Sequence, residues 1–111
     1  MSVLTIRAYK RYATRLPVEL RRSSRKTVQG LLIELSQQGA RISNLDRGKY
    51  EAGDEVVIVT PTGLELEGTI RWAHDGLAGV RLGRSLHLPE MRDLLEMNRR
   101  QQSEVDWRYG T

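Results

Sequence analysis

Apolar and polar residues alternate along most of the chain. In Leu16-Pro17-Val18-Glu19-Leu20, the leucines and the valine share one face and Glu19 takes the other. Between residues 64 and 72, Leu64, Leu66, Ile70 and Trp72 fall on one side, while Glu65, Glu67, Thr69 and Arg71 fall on the other. A period of two is that of a strand with one buried face, so Trp72 is expected in the core. Leu31, Ile33 and Leu35 repeat the pattern, as do Ala40 with Ile42 and Val80 with Leu82. Val56-Val57-Ile58-Val59 is apolar throughout, which predicts a strand covered on both sides.

Short connections divide these runs. Gln37-Gln38-Gly39, Pro61-Thr62-Gly63 and Asp75-Gly76 read as turns in which glycine supplies a positive φ. Asp75-Gly76 is the strongest hairpin signal. A looser stretch, residues 44–52, precedes Gly53-Asp54, where another strand opens. About six strands with short links predict a small antiparallel barrel or sandwich. No long helical period occurs before residue 85, which disfavours a βαβ nucleotide fold. Leu88-Pro89-Glu90-Met91 then opens a helix, with proline and an acid in its first turn. Leu88, Met91, Leu94, Leu95 and Asn98 line one stripe of it, and the helix is expected to cover the open side of the barrel. Residues 101–111 read as a flexible tail, in which Trp107 and Tyr109 either pack back on the body or contact a partner.

At 111 residues the chain is one domain, and 39% hydrophobic with 29% charged residues is an ordinary globular composition. Cysteine is absent, which removes disulfides, thiolate zinc sites, iron–sulfur clusters and cysteine nucleophiles. His74 and His87 are the only histidines and lack metal-ligand spacing, so no metal site is expected. No apolar run approaches the ~20 residues that span a bilayer, and the N-terminus lacks signal-peptide character. The expectation is a cytoplasmic protein without membrane insertion.

The net charge of +4 conceals an asymmetry. Residues 1–26 hold eight bases and one acid, while residues 27–111 hold ten bases and thirteen acids. A basic arm on a mildly acidic body points to an anionic partner, or else to a solvated cluster that aids solubility. Enzymatic constellations are missing. Glu65 and Glu67 sit on solvent-facing strand positions, and His74 and Asp75, as strand neighbours, are expected to point to opposite faces. His87 reads as a loop or cap residue, and neither a GxGxxG nor a Walker loop occurs. The chain is not expected to be an enzyme.

What remains is a two-part pattern. Arg11-Tyr12-Ala13-Thr14-Arg15 places two arginines four apart, just ahead of the Leu-Pro-Val strand. Later, Glu34-Leu35-Ser36-Gln37-Gln38-Gly39 closes a strand in a tight turn. In this order and spacing the sequence resembles a PilZ domain, the bacterial receptor module for cyclic di-GMP, whose marks are RxxxR and [D/N]xSxxG. Arg7/Arg11 and Arg21/Arg25 share the arginine spacing, but only Arg11/Arg15 stands directly before that strand. Gly68-Thr-Ile-Arg-Trp and Gly79-Val-Arg-Leu resemble the family's late hairpin, so the resemblance covers roughly residues 8–100.

The resemblance implies a six-stranded antiparallel β-barrel with a C-terminal α-helix: a basic arm over 1–15, barrel and helix over 16–100, and the tail over 101–111. It implies a cyclic di-GMP receptor that orders arm residues 5–15 on binding and signals to a separate, unidentified effector protein. Arg11 and Arg15 would pair with guanine edges or phosphates, and Arg7 and Lys10 would add phosphate contacts. Glu34 would accept hydrogen bonds from guanine, Ser36 would bond a phosphate or base edge, and Gly39 would permit close approach. Glu34 departs from the family's Asp or Asn by one methylene. That departure supports an alternative: a module of the same fold that binds no nucleotide. A basic nucleic-acid-binding barrel is a weaker alternative, because the strand surfaces are rich in Glu and poor in aromatics.

Overall fold

The computed structural model describes residues 10–22, 27–45 and 50–109, with side chains described as far as residue 100. Six strands, β1 (Tyr12–Arg22), β2 (Thr27–Leu35), β3 (Gly39–Ser43), β4 (Glu55–Val59), β5 (Glu65–His74) and β6 (Leu77–Leu82), precede one helix, α1 (Leu88–Tyr109). They close into a barrel in the order β1-β2-β3-β6-β5-β4, and every neighbouring pair is antiparallel. The expected barrel and helix are the fold of the chain.

Alternation builds the interior. Leu16, Val18 and Leu20 of β1 are buried, together with Leu32, Leu35, Ile42, Val56, Ile58, Leu66, Ile70, Val80 and Leu82. Thr14 continues the inward face of β1, and its hydroxyl donates to the Leu32 carbonyl at 2.7 Å, so the buried polar group is satisfied. Met91 and Leu94 of α1 join the same cluster, and α1 packs on β1. The Arg15 N–H donates to Asn98 Oδ1 at 2.8 Å and ties strand to helix.

Several sequence expectations need correction. The first strand begins at Tyr12 rather than Leu16, because Tyr12 and Ala13 already pair with Leu35 and Glu34 of β2. Arg15 therefore lies within β1, not in an arm ahead of it. The β4 valines are not covered on both sides: Val56 and Ile58 point in, while Val57 and Val59 are half-buried, since a closed barrel has only one interior. Leu31 and Ile33 do not share the inward face of Leu35. A register shift between Leu32 and Glu34 inserts an extra residue, which moves the buried positions to Leu32 and Leu35. Leu88 is 44% exposed and does not belong to the buried helix stripe. The helical backbone runs on to Tyr109, through most of the segment expected to be a tail; the side chains of Trp107 and Tyr109 lie outside the described residues.

The Asp75-Gly76 hairpin forms as expected, with φ 52° and 79° at its two central residues. Asp75 has thereby left the strand, so alternation no longer separates it from His74, and His74 Nδ1 lies 3.5 Å from Asp75 Oδ2. Both side chains are exposed. At the other end of this region, the Glu90 carboxylate accepts from the His87 N–H at 2.9 Å and from Nη1 and Nη2 of Arg84, capping α1. His87 is thus a cap residue.

Candidate ligand-binding cleft

Three register shifts break the barrel's ladders: between Ala13 and Leu16 on β1, between Leu32 and Glu34 on β2, and between Ile70 and Trp72 on β5. The shifts on β2 and β5 end at Glu34 and Trp72, which line one cleft of about 580 Å³. Bulges re-aim side chains, and the shift on β5 re-aims Trp72. Ile70 is buried and Ala73 packs against the core, so the inward face changes parity between them. Trp72, expected in the core, is half-buried on the outer side and lines the cleft.

Cross-strand register then lays out the cleft wall. Ala13 pairs with Glu34, Glu34 with Arg41, Arg41 with Gly79, and Gly79 with Trp72, in one row across β1, β2, β3, β6 and β5. Adjacent strands stand roughly 4.8 Å apart, so side chains on β3 and β5 are separated by a whole strand. They meet here because Gly79 is bare between them. The Trp72 indole lies over the Gly79 backbone, and the Arg41 guanidinium sits 5.6 Å from the indole centroid. The indole also stacks with His74, with ring centroids 5.1 Å apart.

Charge in the cleft is lopsided. Among the described residues its walls include Arg11, Arg41, Arg71 and Arg81, and a single carboxylate, Glu34. Glu34 Oε2 lies 3.9 Å from Arg11 Nη1, and Glu34 Oε1 lies 3.6 Å from Arg41 Nη1. The excess of guanidinium groups on one concave surface suits an anion.

The turn between β2 and β3 forms one edge. The Ser36 hydroxyl accepts the N–H groups of Gly39 at 3.1 Å and of Gln38 at 3.4 Å, and the Ser36 N–H donates to the Gly39 carbonyl at 2.9 Å. Gln37 exchanges backbone and side-chain hydrogen bonds with Leu86, and the Leu82 N–H donates to the Gln38 carbonyl. The turn is thus fastened to the chain leaving β6. Gly39 does not adopt the positive φ expected of it. Glycine is required for a different reason: a Cβ at Gly39 would stand 2.9 Å from the Val80 carbonyl oxygen of the neighbouring strand.

The structure brings Arg11, Glu34, Ser36 and Gly39 together in the cleft. Arg15 is not among the described residues lining it; it sits on β1 with its backbone bonded to α1. Lys10 does not line it either, and its ammonium lies 5.0 Å from the centroid of the Tyr12 ring. Arg7 lies outside the described residues. Arg41, Arg71 and Arg81 belong to neither motif, and Trp72 reads as core from its alternation. Arg41 was within reach of a sequence reading, since inward Ala40 and Ile42 leave Arg41 outward beside the turn.

A family model of the PilZ domain matches residues 5–100. The chain belongs to the PilZ domain family. The fold of this PilZ domain is similar to that of the PilZ domain of CeSA from a cellulose-synthesizing bacterium, with a TM-score of 0.60 and 22% identity over 84% of this chain and 98% of that one. It is also similar to the Bacillus subtilis inhibitor of motility, MotI/DgrA, with a TM-score of 0.57 and 17% identity over 90% of this chain and 53% of that one. At such identities the likeness concerns the fold alone. Among curated proteins, none matches the chain. No helix of this PilZ domain, among the described residues, is long and apolar enough to cross a membrane.

Proposed function

We propose that this PilZ domain is a non-enzymatic receptor for cyclic di-GMP, which it binds in the arginine-lined cleft. The observation that carries this reading is convergence. Arg11 from the first motif, and Glu34, Ser36 and Gly39 from the second, line the same cleft although more than twenty residues separate Arg11 from Glu34. The ligand's two phosphates match the guanidinium excess, and its flat guanines match the indole of Trp72 on the cleft wall. A volume of about 580 Å³ is that of a small-molecule site. In this reading Arg11 meets the ligand in the cleft, and Arg15, Arg7 and Lys10 add basic charge beside it. Ligand bound beside the start of β1 presents a changed surface to a separate effector protein.

A second reading is an interaction module of the same fold that takes no nucleotide. The pairing of Glu34 with both Arg11 and Arg41 favours it, because this carboxylate of the cleft already has two cationic partners. Calorimetric titration with cyclic di-GMP, beside GTP and an Arg11→Ala/Arg15→Ala variant, separates the two. The receptor reading expects saturable heat that is selective for cyclic di-GMP and disappears in the variant. A folded protein that gives no heat at high ligand concentration supports the second reading instead.

A further inference from the structure

Arg41 belongs to neither motif, yet it stands at the centre of the row Glu34–Arg41–Gly79–Trp72. Its guanidinium has the Glu34 carboxylate at 3.6 Å and the Trp72 ring at 5.6 Å. The same carboxylate reaches Arg11 at 3.9 Å. Neither separation from Glu34 is a hydrogen bond. The carboxylate therefore draws two guanidinium groups towards it without occupying their N–H donors at bonding distance. Arg11 and Arg41 are 71% and 42% exposed, so both pairs are hydrated and weak.

Resting on the cyclic di-GMP reading above, we propose that Arg41 is a further ligand-binding arginine and that Glu34 is a resident anion, which draws Arg11 and Arg41 together in the cleft until a ligand phosphate replaces it. The Trp72 ring, 5.6 Å away, attracts the Arg41 guanidinium and keeps it on the cleft wall, so less side-chain freedom is lost when the phosphate arrives. A phosphate offers the planar fork two short charge-assisted bonds where Glu34 offers none. The exchange is opposed by repulsion between the displaced carboxylate and the incoming phosphate, because Glu34 is anchored to β2 and cannot leave the cleft. Glu34 then lowers affinity, whereas a carboxylate that accepted bonds from guanine would raise it.

The test is calorimetric titration of the wild type, Arg41→Ala, Arg41→Lys and Glu34→Gln with cyclic di-GMP and, separately, with inorganic pyrophosphate. Circular dichroism checks the fold of each variant. Arg41→Ala is expected to weaken both ligands by about tenfold or more, and Arg41→Lys to restore only part of the loss. Glu34→Gln is expected to tighten both several-fold. Pyrophosphate carries no base, so a gain there does not come from a guanine contact. Wild-type affinity in Arg41→Ala, or unchanged or weaker binding in Glu34→Gln, overturns the proposal and leaves the receptor reading standing if the wild type takes cyclic di-GMP. Arg41-dependent binding of pyrophosphate without any binding of cyclic di-GMP overturns the receptor reading and supports the phosphate exchange. Binding of neither probe by any of the four proteins overturns both.

Discussion

The indole of Trp72 lies so close over the backbone of Gly79, its cross-strand partner, that a Cβ on that glycine would overlap the ring. One residue's lack of a side chain thus determines where another's stands. Glycine in a strand ordinarily weakens it, and a large aromatic laid across the gap compensates by shielding the exposed backbone. Replacing Gly79 with alanine is expected to push the indole off β6 and out of reach of Arg41. The loss of stability should be about 1–3 kcal/mol, the usual scale for overpacking. Urea titration of the Gly79→Ala variant in a Trp107→Phe background, followed by Trp72 emission, measures both effects. An unchanged midpoint and emission maximum would contradict this account.

The Ser36 hydroxyl holds the turn between β2 and β3 by accepting the N–H groups of Gln38 and Gly39. Ser36→Ala leaves those donors to water or unpaired, at an expected cost of about 1 kcal/mol. Faster amide hydrogen exchange should be confined to Gln38 and Gly39 and their neighbours in the turn. Exchange at wild-type rates would show that the connections to Leu82 and Leu86 hold the turn by themselves.

The Glu90 carboxyl is held at about 2, below its ordinary 4.5, chiefly by its hydrogen bonds from Arg84 and next by the His87 N–H. A depressed carboxyl contributes stability that is complete above its unfolded value and is lost as pH falls through the folded one. The protein should therefore lose stability between pH 4.5 and about 2 as Glu90 is protonated. Glu90→Gln should be less stable than the wild type at neutral pH and show a flatter acid limb. Denaturant midpoints across that range compare the two; parallel acid limbs would place the lost protons elsewhere.

Leu94 is buried in the same cluster as the barrel interior, and Asn98 one turn later binds the β1 backbone. Leu94→Ala is expected to cost about 2–5 kcal/mol, and Asn98→Ala about 0.5–1.5 kcal/mol. Thermal unfolding of each variant checks the order. Asn98→Ala as damaging as Leu94→Ala would mean that the hydrogen bond, not the apolar contact, fastens α1.

Much of the barrel was legible in the chain itself. Period-two runs such as Leu16, Val18 and Leu20 fix an inward face wherever a strand is regular, because alternation is a property of the extended backbone alone. The Asp75-Gly76 turn and the helix start at Leu88-Pro89 are equally local. So were Arg11, Glu34, Ser36 and Gly39, whose spacing carried the family resemblance. What the sequence could not determine was the effect of an inserted residue. The register shifts beside Glu34 and Trp72 reverse the face of everything that follows, and they exist only in relation to a partner strand. Trp72 therefore moved from an expected core position to the cleft wall. Arg41 stands far along the chain from Arg71 and Arg81 and shares a surface with them because the barrel order places β6 between β3 and β5. Local pattern decided which residues face outward wherever a strand is regular; the bulges decided it elsewhere, and barrel closure decided which outward residues face one another.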